Sequence, residues 1–292
     1  MKLYDGVFID EFLGTHDTLL THWHGDHTRG LNLKFKGTVH CSKLTSMLLQ
    51  KRYPHAKTRV LETDQYYPDL DVVALDANHI PGSLMFYFPS LKMLYTGDYR
   101  VSNAMLNRLK KGLRDVETLY IDGTFHSAKL GKFLTRESSV QLLREFITAK
   151  AKDATIAFGI FHAGTCALLV ELGIKFSIDE ASICLSLQDT LRTMYPNNVV
   201  LHGNTRFKVV QPNKFIKKDN DDIVVIPCAL WFCCQSNMNV ARDRLVQDKN
   251  GNWRLNFTCH SDYYENMRLI ETLGHPSAVR FINEANVDLV CL

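Results

Sequence analysis

Residues 21–27 read Thr-His-Trp-His-Gly-Asp-His and contain four potential metal ligands within six positions. The spacing is His22-x-His24-x-Asp26-His27, and the preceding Thr-Leu-Leu-Thr is typical of a strand end. Side chains two residues apart on an extended chain point the same way, so His22 and His24 can bind one metal ion. Asp26 and His27 can then bind a second ion. Imidazole and carboxylate ligands favour zinc, with manganese or iron as alternatives, although a histidine-rich surface loop is the other interpretation.

Two further residues can complete a site for two metal ions. His79 lies in Asp-Ala-Asn-His-Ile-Pro-Gly-Ser, after the apolar segment Val72–Leu75. Asp98 lies in Thr-Gly-Asp-Tyr-Arg, after a segment that can pair with Leu84–Phe88 as a hairpin. Gly97 allows the backbone to turn tightly where the carboxylate must bridge two ions. Taken singly, the two residues are better interpreted as a core histidine and a turn aspartate.

Two metal ions held side by side would supply specific chemistry. They lower the pKa of a shared water towards neutrality, so that it becomes a nucleophile at pH 7. They also neutralise charge on a phosphoryl or carbonyl oxygen in the transition state. Sites of this kind serve several hydrolases, so the metal motif alone does not define the substrate.

The composition is that of an ordinary globular protein. Of 292 residues, 46% are hydrophobic and 22% charged, which excludes a disordered or fibrous class and predicts about two domains. The longest near-apolar run, Ile223–Cys234, has 12 residues and contains Pro227, whereas a membrane span needs about 20. Because the eight cysteines have no regular spacing and Asp5 and Asp10 disfavour a signal peptide, we expect an intracellular protein with reduced thiols.

Charge is distributed unevenly along a chain whose formal net charge is only +3. Residues 28–61 contain eight basic and no acidic residues, and residues 205–218 contain five basic and no acidic residues. Such runs are either solvated surface or a track for a polyanion, whose phosphates are contacted mainly by lysine and arginine. The first run begins directly after the metal motif. We therefore interpret the first run as a binding surface for a polyanion and expect Arg29, Lys34 and Lys36 to contact it.

The order of the motifs is similar to that of a known family. His-x-His-x-Asp-His, then His79, then Asp98 resembles the ligand order of metallo-β-lactamases. The segments around these residues, together with Leu-Tyr-Ile-Asp-Gly-Thr around Asp122, resemble the DNA cross-link repair nucleases. Residues 116–125 and 253–262 resemble the Artemis-like branch of that family. The resemblance covers most of the chain and is thinnest in its middle part.

This resemblance implies an α/β fold, a metallo-β-lactamase αββα sandwich with metals at the sheet edge, interrupted by a β-CASP α/β insertion. The metallo-β-lactamase domain would comprise residues 1–125 and 254–292, and the insertion residues 126–253. Apolar residues at helical spacing after Thr135, a candidate cap, predict a helix in the insertion, and Ile223–Ile226 predicts a buried strand.

The resemblance also implies a set of site residues. The metal ligands would be His22, His24, Asp26, His27, His79 and Asp98. The catalytic residues would be Asp26, Asp98, Asp122 and His260, the last two completing the environment of the second metal. Thr124 and Ser261 would bind phosphate, and Asp10 would support the ligand loop through hydrogen bonds. The cofactor would be one or two zinc ions, with Mn²⁺ or Mg²⁺ as alternatives at the second position.

Three residues near the expected phosphate path need separate interpretation. Gly123 stands where a hydroxyl residue is usual in the family, which weakens a pocket for a terminal 5′-phosphate. Asp262 stands where a serine is common and places negative charge near the expected path. Ser261 is the predicted N-cap of the following helix, whose free N–H groups could face a phosphate.

We therefore expect a metal-dependent phosphodiesterase that hydrolyses DNA in end processing or cross-link repair, as a 5′ exonuclease or a structure-specific endonuclease. Its partners would be single-stranded, overhang or hairpin DNA ends and DNA-repair proteins, with no membrane, for a monomeric core in the nucleus. The alternatives are an RNA-processing β-CASP nuclease, a small-substrate hydrolase and a catalytically inactive nucleic-acid-binding paralogue. The presence of every expected ligand disfavours the inactive paralogue, whereas Gly123 keeps it open.

Overall fold

The structure is a computed structural model, and it describes residues 7–113, 115–150, 154–201, 205–212, 222–234, 237 and 239–282. Contacts between residues divide the described part of the chain into two compact units, residues 7–128 with 259–282 and residues 129–258. Residues 129–258 therefore interrupt the first unit in sequence. Within the described ranges, no helix is long and apolar enough to cross a membrane.

The first unit begins with a four-stranded parallel sheet. Its strands, hydrogen-bonded in this order, are β1 (Phe8–Ile9), β2 (Thr18–Leu19), β3 (Thr38–Cys41) and β4 (Lys57–Val60). Helix α1 (Lys43–Arg52) connects β3 to β4, as a parallel pair requires. Leu49 of this helix packs with Leu20 and Val39 and covers one face of the sheet.

A second sheet of the first unit is mixed. Its strands include β5 (Tyr66–Tyr67), β6 (Val72–Asp76), β7 (Leu84–Phe88), β8 (Met93–Tyr95) and β9 (Thr118–Asp122). The predicted hairpin is confirmed, because β7 pairs antiparallel with β8 and places Phe86 opposite Tyr95. Helix α2 (Asn103–Gly112) then connects β8 to β9, which pair in parallel.

The second unit is built around a six-stranded sheet. Its elements in chain order are α3 (Arg136–Lys150), β10 (Thr155–Gly159), α4 (Ala167–Glu171), β11 (Ser177–Ile178), α5 (Leu185–Met194), β12 (Phe207–Val210), β13 (Asp222–Pro227), α6 (Ala229–Cys233), β14 (Val246–Gln247) and β15 (Trp253–Leu255). The strand order is β11, β12, β10, β13, β15, β14, with β14 antiparallel to β15. As predicted, the Thr135 hydroxyl caps α3 by accepting from the Ser138 amide at 3.1 Å, and Ile223–Ile226 lies in β13.

Strand β15 runs across the expected domain boundary at residues 253 and 254. It pairs in parallel with β13 and antiparallel with β14, so its hydrogen bonds place Arg254 and Leu255 in the second unit. The division between the units is not visible in the sequence, because the family motif at residues 253–262 includes both β15 and the segment that returns to the first unit. We accordingly propose that the inserted unit ends at residue 258.

The chain returns to the first unit with α7 (Tyr263–Thr272) and β16 (Ala278–Ile282). Strand β16 pairs in parallel with β9, giving the order β16, β9, β8, β7, β6, β5. The N-cap of α7 is Asp262, whose carboxylate accepts from the Glu265 amide while the Glu265 side chain accepts from the Asp262 amide. The prediction that Ser261 caps this helix is therefore wrong.

The two sheets of the first unit pack face to face between helices. Ile9 and Leu19 of the first sheet share a buried cluster with Phe86 of the second. The opposite face of the second sheet packs against α2 and α7 through Leu109 and Leu269. Burying each such side chain contributes about 1.5–3 kcal/mol. The layers are therefore helix, sheet, sheet and helix, which confirms the predicted αββα metallo-β-lactamase fold.

A glycine is required where β8 leads to Asp98. Gly97 has φ +53°, a left-handed conformation that other residues adopt at a cost. A Cβ atom at this position would lie 2.8 Å from Cγ2 and 2.9 Å from Cβ of Thr21. The predicted tight turn is confirmed, and the close approach to Thr21 is a second, independent reason for glycine.

Gly97→Ala is expected to lower the free energy of unfolding by about 2–4 kcal/mol, because left-handed strain adds to overpacking against Thr21. Urea denaturation followed by tryptophan fluorescence measures the loss. Gly274→Ala is the control, since Gly274 has φ +77° and nothing within 4 Å of a Cβ atom. Its expected loss is about 1 kcal/mol, and equal losses in the two variants would contradict a role for the Thr21 contact.

Candidate metal centre

The candidate site is built from loops that follow the carboxyl ends of strands. Residues 22–27 follow β2, His79 follows β6, Asp98 follows β8, and Asp122 ends β9. His260 lies on the segment that precedes α7. The structure therefore brings together, within the first unit, residues that the sequence disperses over more than 200 positions.

Three histidines and Asp98 form the first ligand group. His22 Nε2 lies 2.9 Å from His24 Nδ1 and 3.6 Å from Asp98 Oδ2. His79 Nε2 lies 3.3 Å from His24 Nδ1 and 3.7 Å from Asp98 Oδ2. The four ligand atoms all lie within 4.8 Å of one another. This spacing suits a tetrahedral ion whose nitrogen ligands are about 2 Å away, so the group can hold a metal ion.

Asp26, His27 and Asp98 form the second ligand group. His27 Nε2 lies 3.7 Å from Asp26 Oδ2 and 3.3 Å from Asp98 Oδ1. The Asp26 side chain is 63% exposed, whereas His27 and Asp98 are buried, so the group is open to solvent on the Asp26 side. Because Oδ2 of Asp98 faces the first group and Oδ1 faces the second, the geometry fits a carboxylate that bridges two ions.

Hydrogen bonds on the far side of the imidazoles define their tautomers. The Thr21 hydroxyl donates to Asp10 Oδ2 at 2.8 Å and therefore accepts from Nδ1–H of His22 at 3.0 Å. His79 Nδ1–H donates to the Cys259 carbonyl at 2.9 Å. In both histidines the proton is on Nδ1, which leaves the Nε2 lone pair for the ligand group.

Asp10 lies where the resemblance implies a supporting residue. Its Oδ2 accepts from His27 Nδ1–H at 2.8 Å, and its Oδ1 accepts from the Thr21 amide at 2.8 Å. Asp10 has φ +52°, a conformation that aspartate and asparagine adopt more readily than other residues with a side chain. The carboxylate thus orients the His27 ring without itself belonging to a ligand group.

Burial keeps the first ligand group neutral. It lowers the pKa of His22 and that of His79 well below the ordinary value. It also lowers the pKa of His24 to about 4. All three imidazoles therefore carry a lone pair at neutral pH, which is the form that binds metal. The chemistry of this donor set fits zinc.

Neighbouring groups of opposite charge shift the pKa values of His27, His260 and Asp98. Burial acts to lower the pKa of His27, but hydrogen bonds with Asp10 and Asp98 raise it to about 11. Burial likewise opposes a charge on His260, but the carboxylates of Asp122 and Asp98 raise its pKa to about 9. Burial acts to raise the pKa of Asp98, yet His260 and His27 hold it well below its usual range. The buried carboxylates of the site are thus stabilised by nearby positive charge, which a divalent cation would also supply.

Asp122 and His260 form a third group beside Asp98. His260 Nδ1 lies 2.8 Å from Asp122 Oδ2 and 3.9 Å from Asp98 Oδ2. Asp122 is fully buried, and its Oδ1 accepts from the Thr124 amide at 2.9 Å. The structure therefore brings Asp122 and His260 together at the edge of the ligand groups, as the resemblance implies.

A buried arginine that the sequence patterns did not reveal holds the His260 segment in place. Arg100 is 1% exposed, and its Nη1 donates to the His260 carbonyl at 2.7 Å. Its Nε lies 3.1 Å from Glu265 Oε2. The Ser261 amide also donates to the Tyr99 carbonyl at 2.8 Å. The one available signal was the position of Arg100 two residues after Asp98, because its partners lie some 160 positions away.

Ser261 and Asp262 have structural roles. Ser261 is fully buried, and its hydroxyl accepts from the Val101 amide at 2.9 Å. Asp262 is 2% exposed, and its carboxylate caps α7. The predicted phosphate contact of Ser261 and the predicted negative charge of Asp262 on the phosphate path are therefore corrected, because both side chains face the interior.

The other predicted phosphate-binding residues are accessible. Thr124 is half-buried and follows Asp122 directly after Gly123. Arg29, Lys34 and Lys36 are exposed in the loop that follows the metal motif. This placement fits contact with a polyanion but does not by itself define the partner.

In the folded structure, one basic residue of the first run is paired with an acidic residue that lies outside the run. Arg59 forms a two-pronged ion pair with Asp69, in which Nη2 lies 3.0 Å from Oδ1. The sequence run ends before Asp69, so the pairing of β4 with a later turn was not predictable from it. The second run lies partly outside the described residues, which omit Lys214, Lys217 and Lys218.

An αββα sandwich with these ligand groups defines a protein of the metallo-β-lactamase fold with a candidate centre for two metal ions. No protein-family model matches the chain. It is 35% identical to the Gallus gallus 5′ exonuclease Apollo over 167 residues, which cover 54% of this chain and 35% of that protein.

Two further matches point to the same group of relatives. The chain is 25% identical to the Rattus norvegicus protein artemis over 321 aligned positions, covering 91% of this chain and 45% of that protein. It is 39% identical to the Homo sapiens DNA cross-link repair 1A protein over 181 residues, which cover 59% of this chain and 16% of that protein. The chain spans less than half the length of these relatives. It is thus related to the DNA cross-link repair nucleases, and the predicted resemblance is confirmed.

Replacing Asp10 with asparagine is expected to weaken binding of one metal ion by about 10-fold to 100-fold, because the amide cannot fix His27 as a carboxylate does. Isothermal titration with Zn²⁺ or Mn²⁺ measures the change. Asp17→Asn is the matched control, since Asp17 directly precedes β2, accepts from the Thr38 amide at 2.8 Å and belongs to no ligand group. Equal affinities for Asp10→Asn and wild type would contradict the supporting role.

Proposed function

We propose that this protein is a metal-dependent nuclease that hydrolyses phosphodiester bonds of DNA in end processing or cross-link repair. The observation that carries the proposal is the position of Asp98, whose two oxygens face two separate ligand groups. The names of the relatives support a nuclease acting on DNA. Because repair of DNA takes place where DNA is kept, the proposal extends to action in the nucleus with DNA-repair proteins as partners.

The residues of the site have separate tasks in this proposal. Bound divalent cations supply Lewis acidity and a nucleophilic water at neutral pH. The first ligand group holds zinc, because neutral imidazoles prefer it, and the oxygen-richer second group also accepts Mn²⁺ or Mg²⁺. Asp122 holds Nδ1–H of His260, so that the opposite ring nitrogen can donate a proton or hydrogen bond to a phosphate oxygen.

Recognition of the DNA backbone falls to residues around this centre. Arg29, Lys34 and Lys36 neutralise phosphates from the loop after the metal motif. Gly123 provides no hydroxyl, and its amide donates to the Ile282 carbonyl at 2.6 Å. Binding of a terminal 5′-phosphate therefore depends on Thr124. The proposed cleavage takes place at a 5′ end or within a hairpin or overhang.

Asp98→Asn is expected to reduce cleavage by about 1,000-fold or more, because one substitution weakens both ligand groups. The assay incubates purified protein and Zn²⁺, Mn²⁺ or Mg²⁺ with labelled single-stranded, hairpin and duplex DNA and with RNA. Asp243→Asn is the control, since Asp243 is 76% exposed and belongs to no ligand group.

The products distinguish the alternatives. Mononucleotides released from a 5′ end indicate an exonuclease, and internal cuts in hairpins or overhangs indicate an endonuclease. Cleavage of RNA alone would replace the proposal with an RNA-processing nuclease. Tight DNA binding without cleavage, unchanged in Asp98→Asn, would replace it with an inactive binding protein.

Lys34→Ala is expected to weaken binding to all DNA sequences alike and to reduce the slope of log K against log salt by about 1, as loss of one phosphate contact does. Fluorescence anisotropy over a range of salt concentrations measures both effects. Lys110→Ala, an exposed lysine of α2, is the control. An unchanged slope in Lys34→Ala would remove this lysine from the DNA path.

A further inference from the structure

Three aromatic rings form a partly exposed cluster near Asp122. This aromatic platform consists of His126, Tyr263 and Phe281. The His126 and Phe281 ring centroids are 4.2 Å apart at 32°, and those of His126 and Tyr263 are 5.0 Å apart at 48°. Phe281 is 37% exposed, although it lies on β16. His126 and Tyr263 are half-buried, so the three touching rings present a partly exposed aromatic face rather than a single exposed side chain.

Hydrogen bonds connect the platform to the backbone around Asp122, a residue of the candidate metal centre. Asn266 Nδ2 donates to the Asp122 carbonyl at 2.9 Å and lies 3.2 Å from His126 Nδ1. Because an amide nitrogen only donates, His126 Nδ1 accepts, and the neutral ring carries its proton on Nε2. The His126 amide also donates to the Gly123 carbonyl at 3.0 Å. The ring is therefore positioned by the same short segment that presents Asp122.

The order of groups along this segment matches the parts of a nucleotide. Asp122 belongs to a candidate ligand group, Thr124 is the proposed phosphate contact, and His126 begins the aromatic platform. Aromatic side chains stack on any nucleobase, because every base has a π-face. In a duplex both faces of a base are covered by its neighbours, so only an unpaired or terminal base can stack on a protein ring.

We propose that the aromatic platform stacks an unpaired nucleobase of the strand whose phosphate lies at the candidate metal centre. This inference rests on the proposed function and deepens it. It selects single-stranded ends, overhangs and hairpin tips over blunt duplex, without preference for base sequence. The platform is a binding surface, and its residues take no part in the chemical step.

The test measures how binding depends on one base at a time. Short single DNA strands, with phosphorothioate linkages that resist hydrolysis, each carry one abasic position, and the metal-loaded protein is titrated by fluorescence anisotropy. At one or two positions, loss of the base is expected to weaken binding to the wild-type protein by about 5-fold to 100-fold. The remaining positions are expected to have little effect.

Variants of Phe281 assign that dependence to the platform. Phe281→Leu is expected to weaken binding of the intact strand by a similar factor and to abolish the sensitivity to the abasic position. Phe281→Tyr keeps a ring and is expected to retain both. Tyr66→Leu is the matched control, because Tyr66 is a 47% exposed aromatic residue on β5. It is expected to behave as wild type.

Two results would overturn the inference. One is an abasic scan of the wild-type protein that is flat at all positions, a result that needs no folded variant. The other is a Phe281→Leu variant that keeps the positional dependence. Cleavage with a flat scan would remove the stacking proposal alone, whereas base-dependent binding without cleavage would remove the nuclease and leave the stacking.

Discussion

The close approach of Gly97 to the Thr21 side chain is the constraint on which the candidate site depends. A Cβ atom at residue 97 would lie within 3 Å of Thr21, so the loops after β2 and β8 meet only because one of them has no side chain there. This contact places His22 beside Asp98. The Asp98 carboxylate can then face two ligand groups, and every other site residue is arranged around it.

Charge explains why so many partners surround this carboxylate. Buried acidic groups are costly unless they are paired, and His27 and His260 lie 2.8 Å from the Asp10 and Asp122 carboxylates, which raise the pKa values of the two histidines to about 11 and about 9. The three remaining histidines stay neutral through burial and keep their lone pairs. A site that combines neutral imidazoles with closely spaced carboxylates is suited to cations of charge two.

Short-range patterns in the sequence predicted much of this arrangement. The spacing of His22 to His27, the hairpin before Gly97 and the Thr135 cap depend on neighbouring residues, and each is present. Contacts between distant segments were not predictable. Arg100 donates to the His260 carbonyl, and the Val101 amide donates to the Ser261 hydroxyl, because chain segments 160 positions apart meet there. The Asp262–Glu265 capping box of α7 is a local pattern, so the prediction of Ser261 as the cap missed a signal that the sequence contains. The family resemblance predicted that two distant residues share the site only for Asp122 and His260.

Anomalous X-ray diffraction can show whether two metal ions share Asp98. Crystals grown with zinc or manganese and measured at the absorption edge of the metal would reveal each ion independently of the protein density. Two peaks about 3.5–4 Å apart are expected, one beside His22, His24 and His79, the other beside Asp26 and His27, with Asp98 between them. A single peak that does not contact Asp98 would contradict the sharing of Asp98 by two ions.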